Sequence, residues 1–326
     1  GKSSPRTCLT PDKKPSFSPE TLAAAGFPDI SYDVLEEGVK FRSGDHLIRP
    51  EDVEAYAFAV EDHDPWFFEP GPFGNPIVHP TLLANQALLM RHNHYFVPAG
   101  LHARMIYNFL DAIPLGTRAR TLGRMAEKYM RRDKPYMVTE YQTATEEGAP
   151  LVEGRFVQMI FKDETAPSSG SSARTEPEAP KFDTSITHAD GRSGRLEVGQ
   201  VLPSLSRTLQ QGQIDIYSGV QPFSIHTNEA WAQAKGFRTT IAQGMMSTAY
   251  VSTLMTTAVG EGFVVGGHMD AKFLHPVLCG DTLEVTGTVA GFSRDKNRIR
   301  VHVTAAAHNQ SGEQTMAATS SALCYE

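Results

Sequence analysis

The sequence predicts an α+β chain built from two copies of one unit, each an antiparallel sheet wrapped round a buried helix. Three observations carry this. The chain superposes on itself at a fixed offset, each copy holds one stretch that is apolar on nearly all sides, and each such stretch precedes three alternating runs separated by turn residues. The 326 residues are enough for two domains of about 150 residues each.

Composition narrows the function classes. Hydrophobic residues make up 40% of the chain and charged ones 21%, the balance of an ordinary globular protein. Thirty Lys and Arg against 37 Asp and Glu leave a net charge of −7, which removes the electrostatic drive for binding nucleic acid or an anionic membrane. The three cysteines, Cys8, Cys279 and Cys324, form no CxxC pair, so neither a disulfide framework nor a structural zinc site is expected, and a reducing cytoplasm fits. No apolar run reaches the roughly 18 residues of a membrane span, and no apolar segment behind Gly1 marks a leader for export.

In chain order, residues 1–29 are expected to be a flexible arm, because Pro5, Pro11, Pro15 and Pro19 break any helix. The first copy then runs over 30–162 and the second over 195–326. Between them, 163–194 is dense in Ser, Pro, Gly and charge, and reads as a disordered linker. An offset of 164 places Gly116 on Gly280, Gly123 on Gly287, Gly148 on Gly312 and Phe109 on Phe273. Upstream the offset becomes 159, pairing 47–62 with 206–221, so five residues are missing from the first copy just after Asp62. Buried helices are expected after His79 and after Gln243. Strands are expected at 118–129, 136–145 and 151–161, and at 282–292, 298–308 and 314–325, with turns at Asp133, Gly148, Asp295 and Gly312. Sheet edges are hidden by pairing, so the copies should lie side by side as a pseudo-dimer with one continuous antiparallel surface. A further homodimer or a complex with a partner subunit is also expected.

At the residue level the second copy resembles a known family. The run from Ala271 through Phe273, His275, Pro276, Gly280 and Asp281 to Leu283, followed by Asn309, Ser311 and Gly312, is similar to the C-terminal signature of MaoC-like hydratases, of the (R)-specific enoyl-CoA hydratase type. Upstream, Tyr217 and Gly219, then Ile225 and His226, then Ile241, Ala242, Gln243, Gly244 and Met245 resemble that family's hydratase motif. In the first copy Ala59 to Pro65 and Pro72 to His79 resemble the same motif without its His segment. The resemblance implies a double hotdog fold, an acyl thioester substrate with coenzyme A as the carrier, and no metal or redox cofactor.

It also implies roles. Adding water across an enoyl thioester needs a base for the water, an acid for Cα and a donor for the enolate-like oxygen. In the family an Asp and a His five residues apart share the proton work, and a Gly amide at a helix N-terminus holds the oxygen. His226 and Gly244 fall on the His and Gly positions, but the Asp position is Gln221, whose amide orients water and accepts no proton. In the first copy Asp62 falls on the Asp position, Phe67 on the His and Pro80, which has no amide hydrogen, on the Gly. The candidate catalytic set is therefore His226, Gln221 and Gly244, with Asp215, Glu229 or Asp62 as replacement carboxylates. Tyr217, Gly219, Gln243, Met245, Asp62 and His79 are candidate substrate-binding residues.

Other polar clusters carry less. Asp62, His63 and Asp64 are consecutive and do not converge on one ion. His92 and His94, two apart on a helix, face different directions. Arg131, Arg132 and Lys134, like Arg294, Lys296, Arg298 and Arg300, sit at hairpin turns where coenzyme A phosphates could dock. The expected activity is hydration or dehydration of an enoyl or 3-hydroxyacyl thioester. The alternatives are altered thioester or polyketide chemistry (isomerisation, cyclisation, carbon–carbon cleavage) and a non-catalytic subunit that binds acyl thioesters.

Overall fold

The computed structural model describes residues 26–97, 100–160 and 179–325. Most of the expected arm, most of the expected linker and Phe161 lie outside the described residues.

Eleven strands among the described residues form one antiparallel sheet. The first copy supplies β1 (Lys40–Arg42), β2 (His46–Leu47), β3 (Gly100–Phe109), β4 (Arg118–Arg131), β5 (Lys134–Thr145) and β6 (Pro150–Ile160). The second supplies β9 (Leu205–Thr208), β10 (His268–Phe273), β11 (Thr282–Asp295), β12 (Arg298–His308) and β13 (Gln314–Leu323). The strands run β1-β4-β5-β6-β3-β10-β13-β12-β11-β9, with β2 also on β4. The two copies join where β3 pairs antiparallel with β10, Asp270 opposite Ile106 and Lys272 opposite Arg104. The fold is therefore a double hotdog α+β pseudo-dimer. Arg104 clasps Asp270 across the seam through two hydrogen bonds, Nε to Oδ1 at 2.7 Å and Nη2 to Oδ2 at 2.5 Å.

Among the described residues six helices accompany the sheet: α1 (Pro50–Val60), α2 (Ala84–Leu89), α3 (Gln211–Ser218), α4 (Glu229–Ala234), α5 (Gly244–Ala258) and α6 (Glu261–Val264). α1 and α3 stand at equivalent places in the two copies, and α4, at the offset of 164, falls on residues 65–70, where the first copy forms only a 3-10 turn over Pro65–Phe67. α5 is the expected buried helix, with thirteen of its fifteen residues buried. Two of its polar side chains reach across the core: Thr248 bonds the Tyr107 hydroxyl at 2.9 Å, and Thr253 donates to Asp62 at 2.7 Å, whereas the buried hydroxyls of Ser252 and Thr256 find no hydrogen-bond partner among the described residues.

The first-copy helix departs from expectation. It spans six residues, α2, followed by a 3-10 turn over Met90–Asn93. Pro80 offers no amide at the point where the second-copy helix begins, and the Thr81 amide is spent on Nδ1 of His79 at 3.2 Å, so the helix starts only at Ala84.

The end of the expected linker is also folded, which corrects the boundary placed at 194. β7 (His188–Gly191) and β8 (Gly194–Glu197) form a hairpin with Ala189 and Leu196 buried. Phe182 packs at a tilt against the His302 ring, over the space left by Gly291. Arg192 forms an ion pair with Asp64 and lies 3.7 Å over the Trp66 ring, tying the hairpin to the first copy. A few apolar anchors suffice to order a polar segment. No described helix is long and apolar enough to cross a membrane. Cys279 and Cys324 are free thiols.

Candidate active site

The loop after α3 is held by its own side chains. Gly219 ends the helix at a φ of 72°, a value that suits glycine. Thr227 then accepts from the Gln221 amide and donates to the Gln221 carbonyl, both at 3.0 Å. Ser224 accepts from the His226 amide at 3.1 Å, and Asn228 caps α4. Gln211 donates to the His226 carbonyl at 2.9 Å, anchoring the loop to α3. His226 is fixed at its ring as well, because Nδ1 lies 2.8 Å from the carbonyl oxygen of Ile241. A carbonyl only accepts, so Nδ1 carries the proton and Nε2 keeps its lone pair. Burial pushes this imidazole down to about 4, so it is neutral at pH 7.

His226 borders two adjoining cavities. The larger, of about 330 Å³, is also lined by His102, Gln243, Gly244, Ser247 and Phe273. The smaller, of about 70 Å³, is lined by Gln221, Ser218, Arg91, His92 and Gln158 as well. His226, Gln243, Gln158, Gly100 and Leu88 border both. Gly244 opens α5, so its amide has no carbonyl one helical turn back to bond, and it sits at the positive end of the helix. The fit is close there, because a Cβ would stand 3.0 Å from the Phe273 ring.

The structure brings together His226, Gln221, Gly244 and Gln243. It places the other five substrate-binding candidates elsewhere. Met245 is core, Gly219 is a helix terminus, and Tyr217 packs against Tyr56 with ring centroids 5.5 Å apart. Asp62 and His79 form a buried pair of their own, Oδ2 to Nε2 at 3.3 Å, in the first copy. None of the three proposed replacement carboxylates lines a cavity either. Asp215 is bonded to Gln211, Asp62 to Thr253, and Glu229 is exposed at the start of α4. Among the described residues neither cavity wall holds an Asp or Glu.

Sequence reasoning missed three cavity residues that come from the first copy: His102, Gln158 and Arg91. His102 lies on β3, whose register shifts against β6 between His102 and Arg104. That bulge turns His102 onto the face that carries Met105, Tyr107 and Phe109. Burial, with the nearby Arg91 and His226, pushes His102 down to about 3, and its buried Nδ1 finds no hydrogen-bond partner among the described residues. The alternation of Met105, Tyr107 and Phe109 was the signal for the strand. Of the basic hairpin residues only Lys134 reaches the larger cavity; Arg294 pairs with Asp183 and Arg300 with Asp295.

With this geometry in place, comparison with known proteins decides the family. A profile described as "MaoC like domain" matches residues 196–311. The (R)-specific enoyl-CoA hydratase of Rhodospirillum rubrum is 31% identical over 103 residues, 31% of this chain and 72% of that protein. The chain belongs to the MaoC-like hydratase and dehydratase family. Solved structures agree on the fold. A MaoC-like dehydratase superposes with a TM-score of 0.70 at 16% identity, over 89% of this chain and 98% of that one. A Mycobacterium tuberculosis protein with a double hotdog fold gives 0.62 at 13% identity, over 90% and 98%. In this MaoC-like chain the two adjoining cavities lie between the copies, walled by the second copy's His226 and Gly244 and by the first copy's His102, Gln158 and Arg91.

Proposed function

We propose that this protein hydrates 2-enoyl thioesters and dehydrates 3-hydroxyacyl thioesters, with coenzyme A as carrier and His226 as the proton-transferring group. The observation that carries the reading is the pairing, on one cavity wall, of an imidazole with a free Nε2 and the leading amide of a buried helix. With the thioester oxygen at the Gly244 amide, Nε2 of His226 takes a proton from water as the water oxygen bonds to C3. The C2–C3 π electrons move to the thioester oxygen as an enolate, where the amide and helix terminus stabilise them. The imidazolium then returns the proton to C2, so one water is added and the histidine is regenerated. Gln221 and Gln243 orient the water through their amides, and Lys134 at the cavity wall meets a coenzyme A phosphate.

The wall without carboxylates favours one other reading, a subunit that binds acyl thioesters without turning them over. Mass spectrometry of enoyl-CoA substrates with short, long and aromatic acyl groups separates the two. Hydration expects the gain of one water in wild type and its loss in His226→Ala. Tight binding without mass change, together with hydration gained in Gln221→Asp, means that the dyad was lost and the role is binding.

A further inference from the structure

Arg91 is 0% exposed, and its bonding partners among the described residues include no carboxylate. It lies in the 3-10 turn after α2, where the first-copy helix stops short, and it borders the smaller cavity. Its Nε donates to the Leu88 carbonyl at 3.3 Å, and its Nη1 to Gln158 Oε1 at 2.5 Å and to the Met137 sulfur at 3.2 Å. The guanidinium carbon stands 4.7 Å from the centre of the Phe156 ring. Nη2 is buried and finds no hydrogen-bond partner among the described residues.

A buried cation without a counter-ion is costly, and proteins normally neutralise or pair it. Burial pulls Arg91 down to about 9, which still leaves it charged at pH 7. Its neighbours cannot balance it. His92 is held down to about 4 by burial and by Arg91 itself, and Gln158 and Gln221 are neutral. The cavity lining includes donors and, among the described residues, no acidic group, and it shares His226 with the larger chamber that holds Gly244. A volume of about 70 Å³ suits a compact anionic group rather than a long chain.

We infer that the smaller cavity is an anion subsite, and that the acyl group this enzyme takes carries a carboxylate at its far end, bound by Nη2 of Arg91. This rests on the hydratase reading for the thioester end. The carboxylate supplies the missing counter-ion through a charge-assisted bond, and Gln158 holds the guanidinium in place. Gly100 makes room for that arrangement, because a Cβ there would lie 2.5 Å from Nε2 of Gln158.

The test compares glutaconyl-CoA, an enoyl thioester with a terminal carboxylate, with 2-pentenoyl-CoA, which has the same chain length and no charge. Glutaryl-CoA and pentanoyl-CoA serve as saturated ligands. Wild type is expected to prefer glutaconyl-CoA by about 100-fold in kcat/KM, as a buried site built for a charged partner rejects the analogue without it. Arg91→Met is expected to abolish the preference and Arg91→Lys to keep part of it. Thermal shift with the saturated ligands covers failure of the chemistry. Stabilisation by glutaryl-CoA and not pentanoyl-CoA, without hydration of either enoyl substrate, retains the anion subsite and overturns the hydratase reading. Equal hydration of both enoyl substrates, or a preference that survives in folded Arg91→Met, overturns the anion subsite and leaves the hydratase reading standing. If Arg91→Met does not fold, Arg91→Lys and the wild-type preference decide.

Discussion

Nδ1 of His226 lies 2.8 Å from the carbonyl oxygen of Ile241, and Ile241 stands three residues before Gly244 on the same chain segment. The contact fixes the tautomer and couples the ring to the start of α5. An imidazole free to rotate would present either nitrogen to the cavity; this one presents Nε2 alone.

The link between Gly244 and the Phe273 ring gives the first prediction. Gly244→Ala should push the ring away from a Cβ that would stand 3.0 Å from it, displacing the helix start from the thioester oxygen. The expected loss in kcat is about 10- to 100-fold, with a modest fall in Tm, and steady-state kinetics beside thermal unfolding measures both. An unchanged kcat removes Gly244 from the reaction.

Asp62 and His79 give the second. Thr81 donates its amide to Nδ1 of His79, so the proton sits on Nε2, facing Asp62. Burial raises the Asp62 carboxyl, but His79, the Thr253 hydroxyl and the Asp64 amide outweigh it and hold the group below its ordinary value. The pair pins the first copy to α5 rather than serving the cavity. Asp62→Ala should cost about 2–4 kcal/mol of stability and leave KM unchanged. A large KM change with normal stability would contradict the assignment.

Acid sensitivity gives the third. His92, His102 and His226 are held by burial to about 4, 3 and 4, against about 6.5 in an unfolded chain. Above pH 6.5 both states are neutral at these positions. Between about 6.5 and 4 the unfolded chain takes protons that the folded one refuses, so stability falls as pH falls, by up to about 1.4 kcal/mol per pH unit for each imidazole. Tm should drop steadily from pH 7 to pH 5, and less steeply in His102→Gln. A flat Tm over that range would contradict the buried neutral histidines.

Much of the fold was legible because alternation and turn residues are local signals. The strand expected at 298–308 coincides with β12, and those expected at 118–129 and 136–145 fall inside β4 and β5. β3 and β10, the seam of the pseudo-dimer, were not read as strands. β10 is only six residues long, and the bulge in β3 breaks its alternation where His102 turns inward. α2 was overread because an apolar run says nothing about which amides remain free at its start. Spacing singled out the second-copy half of the candidate site, His226 and Gly244. The first-copy half was hidden for a physical reason: Arg91 sits in a polar run, Met90-Arg91-His92-Asn93-His94, that reads as a solvated helix end, and only tertiary packing buries it.

The most direct test of the site is hydration of crotonyl-CoA by wild type and by His226→Ala, measured as kcat/KM with Tm determined on both. The expected result is active wild type and a variant at least about 100-fold slower with an unfolding temperature close to wild type. A folded variant that hydrates crotonyl-CoA as fast as wild type would place the chemistry away from His226.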